Sequence, residues 1–100
     1  MKVGRFTVLD NGKVRGGTQF EYSTTPTDAA IASAQAAAYE QARQLAIKRA
    51  RAVLLEDGYC PFRVSEGTVP DGRIQVVGLR KLPSGGNSLA EITIMQEPGL

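Results

Sequence analysis

A chain of 100 residues, 42% hydrophobic and 22% charged, has the composition of one small globular domain with a single core. Histidine is absent, which excludes Ser-His-Asp and Cys-His catalysis, histidine-ligated zinc and histidine-based pH switching. A single cysteine excludes an internal disulfide, and a net charge of +2 is too mild to indicate nucleic-acid binding by itself.

In chain order, residues 3–9 (VGRFTVL) alternate as a strand with Phe6 and Val8 on one face. Asn11-Gly12 follows, the pair that a type I′ hairpin turn favours because both central residues take positive φ. The returning strand covers residues 13–22, with Phe20 and Tyr22 on one face and a bulge expected at Gly16-Gly17.

Residues 25–58 predict one long helix. Alanine recurs with Leu, Gln, Glu, Lys and Arg, and neither Gly nor Pro interrupts the run after Pro26. Thr25 is the expected N-cap, Pro26 the first helical residue and Asp28 the third, completing a capping box; Gly58 marks the left-handed residue beyond the end. At 100° per residue, Ile31, Ala38, Tyr39, Ala42, Leu45, Ala46 and Val53 form one apolar arc, so Leu45 and Val53 are expected to be buried. Ile47 and Leu54 lie at its far margin beside Ala36 and Arg43, and supply a candidate self-association seam. Two arrangements fit so wide an arc: a core helix with a generous alanine face, or a helix that packs on its own sheet and on a second surface. With about 1.5 Å of rise per residue, part of such a helix is expected to project beyond a small sheet.

Residues 59–66 read as a third strand, with Pro61 marking a start or an edge and Cys60, Phe62 and Val64 on one face; Cys60 and Phe62 are expected to be buried. Pro70-Asp71-Gly72 is a turn. Residues 73–82 form a fourth strand, apolar at both parities (Ile74 and Val76, then Val77 and Leu79), so both faces are expected to be partly covered. The segment PSGGNS is a loop rather than a phosphate cradle, since it has no Gly-Lys-Ser/Thr and opens a strand. Residues 89–96 are the last strand, with Ala90, Ile92 and Ile94 inward, and the final three residues are a tail. The order is ββαβββ: a single α+β domain spanning residues 1–100, one antiparallel sheet packed by one helix.

The chemistry-bearing residues are the cations. Arg43, Lys48 and Arg51 are expected along the solvent side of the helix, with Arg49 inside the apolar arc, and all four are candidate partner contacts. Glu56 and Asp57 at the helix C-terminus oppose the helix dipole and call for a nearby arginine. Scattered carboxylates without His, Lys or metal-ligand support make no acid–base site, so no enzyme activity, metal or cofactor is expected. The longest uncharged stretch, residues 29–39, is too short to span a bilayer, and the first residues, MKVGRFTV, carry no secretory hydrophobic region. A cytoplasmic protein is the expectation.

A hairpin of the form VGRFTVLDNGKVRGG running into DAAIASAQAAAYEQA resembles the layout of several small anti-CRISPR proteins of phages and mobile elements. The resemblance covers the first half of the chain and maps no functional residue onto it. It implies a small inhibitor that blocks a surveillance complex by surface contact. The expected function is therefore non-enzymatic binding of a macromolecule, either an acidic or a nucleic-acid-containing complex. The alternatives are direct nucleic-acid binding and a structural subunit that dimerises through the long helix.

Overall fold

The computed structural model describes residues 2–66 and 73–97, so the turn at 70–72 and the tail at 98–100 lie outside the described residues. The order is β1 (Lys2–Asp10), β2 (Lys13–Tyr22), α1 (Ala29–Glu56), β3 (Cys60–Glu66), β4 (Ile74–Lys81) and β5 (Asn87–Glu97). All strands join one antiparallel sheet in the order β2-β1-β5-β4-β3. The chain leaves the sheet at one edge, β2, and re-enters at the opposite edge, β3. The connecting element must cross the full width of the sheet, and α1 does so along about 42 Å.

The hairpin forms as its turn chemistry requires: Asn11 and Gly12 take φ of 51° and 82°. The bulge falls where the glycine pair predicted it. The register shifts between Val8 and Leu9, with Val8 opposite Gly16 and Leu9 opposite Val14, so that Arg15 is the extra residue and Gly16 carries a φ of 140°.

The helix begins three residues later than its capping sequence predicted. Asp28, not Thr25, is the N-cap: its backbone is extended and its side chain accepts the Ala30 N–H at 2.8 Å. Aspartate is the stronger cap, and its carboxylate takes up one of the unpaired first-turn N–H groups. The C-terminus is as predicted. Gly58 is left-handed, its N–H donates to the Leu55 carbonyl, and the Tyr59 N–H reaches back to the Leu54 carbonyl at 2.9 Å, a complete Schellman closure.

Phe6 and Val8 of β1, Ile74 and Val76 of β4, and Ile92 and Ile94 of β5 pack beneath Ala42, Ala46, Ile47, Ala50, Val53 and Leu54. An aromatic group extends this core toward β2: Tyr39 lies edge-on to Phe20 at 5.1 Å and beside Phe6 at 5.3 Å, while its hydroxyl donates to Gln96 Oε1. Val77 is buried on the opposite face of the sheet and Leu79 is half-buried, in keeping with the double parity of β4.

The face of the helix that meets the sheet is turned roughly 70° from the predicted arc at 100° per residue. Val53 is buried as expected, but Leu45 is 54% exposed and Ile31 is 47% exposed. Ile47 and Leu54, expected at a surface margin for self-association, lie in the core at 4% and 2% exposure and are not available to a second copy. The reason lies in the sheet. Gly78 on β4 has no Cβ, and one placed there would sit 3.2 Å from both methyl groups of Leu54 and 2.9 Å from Tyr59 Cβ, so this glycine opens the seat that Leu54 fills. Cys60, expected in the core, is exposed. Phe62 is also exposed, because the register of β3 shifts between Pro61 and Arg63 and carries its ring out of the alternation.

Candidate functional site

The four helix cations do not form one solvent-side row. Arg43 follows Ala42 on the sheet-facing side, its side chain is only 17% exposed, and its guanidinium pairs with Glu40 at 3.1 Å and with Glu66 on β3. It ties α1 to an edge strand, and its expected place on the solvent side is corrected: it lies on the sheet-facing side with its guanidinium held by two carboxylates. Arg49 flanks the β2 side, where Gly16 leaves it room: a Cβ on Gly16 would lie 2.3 Å from Arg49 Cδ. Lys48 and Arg51 are exposed, Lys48 on the outermost face and Arg51 on the β3 side.

The acidic end of the helix acquires the cations its sequence called for. Arg15 Nη2 lies 3.0 Å from Glu56 Oε2, and Arg80 donates to the Asp57 carbonyl at 3.1 Å while its guanidinium sits 4.7 Å from the centre of the Tyr59 ring. Arg15, Arg43 and Arg80 are thereby occupied within the fold. Among the described residues, no carboxylate lies within ion-pair distance of Lys48, Arg49, Arg51 or Arg63.

Two of these unpaired cations converge. The cleft between the C-terminal half of α1 and β3 is lined by Arg51, Leu55, Pro61, Phe62, Arg63 and Val64. Phe62 is 57% exposed, and the Arg63 guanidinium stands 5.8 Å from its ring centre. An edge strand with a proline and a bulge is protected from indiscriminate strand addition, so side chains rather than backbone dominate its surface. What results is an exposed aromatic ring beside the Arg63 guanidinium, with Arg51 and the apolar Leu55 lining the helix side of the same cleft. Such a patch suits a planar or acidic group, because arginine offers bidentate donors and an exposed ring offers apolar area at little entropic cost. Strict alternation with Cys60 and Val64 places Phe62 in the core. The signal that relocates it is Pro61, whose missing N–H favours an edge and a break in alternation.

Compared with protein families, with curated proteins and with solved structures, the chain gives no significant match. Among the described residues, no helix is long and apolar enough to cross a membrane.

Proposed function

We propose that this protein is a non-enzymatic binding protein that docks on the acidic surface of a larger complex through Arg51, Arg63 and Phe62, with Leu55 at the rim and Lys48 beside them. The observation that carries this reading is the pairing of two carboxylate-free arginines with a solvent-exposed phenylalanine on one edge of the sheet, while other cations are satisfied internally. Exposed aromatic and arginine side chains held together are the residue types that dominate the energy of protein interfaces. The resemblance to small anti-CRISPR proteins gives the reading its most concrete form: an inhibitor of a nucleic-acid-handling complex, which needs surface contact and no chemistry. Net charge favours a protein surface over bare nucleic acid, since +2 provides little non-specific attraction to a phosphate backbone.

The test is a charge-reversed double variant, Arg51→Glu with Arg63→Glu, compared with wild type for capture of a purified surveillance complex. Both residues lie outside the core, so the variant should melt like wild type and lose capture. Equal capture by both proteins removes the site from the β3 edge. Tight, steeply salt-dependent binding of wild type to a free oligonucleotide would replace the acidic protein surface with nucleic acid.

A further inference from the structure

The face of α1 turned away from the sheet, on its β2 side, carries a repeat that neither the core nor the β3 cleft uses. Ile31, Ala38, Leu45 and Ala52 recur every seven residues, the spacing that aligns one seam along a helix pair. Ile31, Leu45 and Ala52 are exposed and Ala38 is half-buried. A groove lined by Val3, Phe20, Ile31, Ala34, Ala38 and Leu45 runs beside the first part of this seam, and Leu45 also borders a second groove beside the later part.

We propose that the occupant of this face is a second copy of the same chain, packed with its α1 antiparallel about a two-fold axis between Gln41 and Ala42. The pattern is complementary to itself in that register, the one antiparallel register that engages all four seam positions with every large residue against a small one. Ile31 of each copy meets Ala52 of the other, and Leu45 meets Ala38, so every large side chain faces a small one. Alanine at these positions lets the two axes approach to the low end of the 8–10 Å range of packed helices. Gln41 meets its own counterpart at the axis, where two amides can each donate to and accept from the other.

Charge selects the antiparallel direction. The groove beside residues 31–45 has Glu21 as its one charged lining residue, whereas the groove beside residues 45–56 carries Arg15, Lys48 and Arg49 with Glu56. Arg15 is already bound to Glu56, which leaves Lys48 and Arg49 as the free charges of that groove. Antiparallel pairing brings the cations of each copy over the groove that holds Glu21 in the other. Parallel pairing would stack Lys48 and Arg49 on their own counterparts and align two helix dipoles. Lys48 borders both surfaces, but Arg51, Arg63 and Phe62 lie outside the seam, so variants at those three positions test the proposed partner site separately from the pairing.

The test combines sedimentation with disulfide trapping, in full-length protein carrying Cys60→Ser. Sedimentation velocity over a wide concentration range should show a dimer, and Leu45→Glu should sediment as a monomer with an unchanged circular dichroism spectrum. Under mild oxidation Gln41→Cys should form a covalent dimer rapidly, because the two copies of position 41 are adjacent at the axis. Ala34→Cys should not, since position 34 lies opposite 49 and its two copies are about 22 Å apart along the axis, against the 4–7 Å that a disulfide spans. A monomer at every concentration, a dimer that persists in Leu45→Glu, or cross-linking of Ala34→Cys in preference to Gln41→Cys would each overturn the proposal.

Discussion

The two halves of α1 are built from similar residues and have different physical lives. Residues 29–41 contain no buried residue, while residues 42–56 contribute Ala42, Ala46, Ile47, Ala50, Val53 and Leu54 to the core. Both halves are rich in alanine, so intrinsic helix propensity does not separate them. What differs is the bulk that follows alanine. The second half offers Ile47, Val53 and Leu54 at sheet-facing positions, whereas the first offers Tyr39 alone, at its end. A helix can therefore be specified over its whole length by propensity and caps, while its anchoring is delivered by half of it.

This contrast is broken most directly at its heavy end. Leu54→Ala should destabilise the protein by about 2–5 kcal/mol in a urea melt, because it empties the seat between Gly78 and Tyr59. A loss below about 1 kcal/mol would mean that the C-terminal half is not the anchor. Gly78→Ala attacks the same seat from the sheet, placing a methyl 2.9 Å from Tyr59 Cβ, and should cost about 1–3 kcal/mol. An unchanged melting temperature would show that the helix can lift without penalty.

At the light end, Asp28→Ala removes the N-cap and should cost about 1 kcal/mol. Its signature is spatial: amide exchange should accelerate across residues 29–41 while the amides of residues 46–54 keep their protection relative to global unfolding. Uniform acceleration along the helix would merge the two halves into one cooperative unit. The smallest effect belongs to Leu45→Ala at a concentration where the protein is monomeric. Leu45 is exposed, so stability should change by no more than about 0.5 kcal/mol. A loss of 2 kcal/mol there would restore the arc read from the sequence and turn the helix back.

How far the candidate site could be read in advance follows the same division. The basic character of α1 is plain in the sequence, but whether a given arginine is free depends on carboxylates far along the chain. Arg43 meets Glu66 across 23 positions and Arg15 meets Glu56 across 41. Phe62 looked inward because strict alternation placed it with Val64, and the bulge after Pro61 undid that alternation.

The sequence by itself determined the element order ββαβββ, the type I′ turn at Asn11-Gly12, the bulge at Gly16, the closure at Gly58 and the inward set Ala90, Ile92 and Ile94 of β5. These are set by neighbours a few residues apart, through φ preference, side-chain period and capping. Tertiary structure alone decided the strand order, which half of α1 is anchored, which way the helix is turned, and which cations remain unpaired. An alanine-rich helix presents apolar surface over half its circumference, so its own pattern cannot choose an orientation. The choice falls to contacts between distant segments: Leu54 over Gly78, Arg43 with Glu66, and Tyr39 against Phe6 and Phe20.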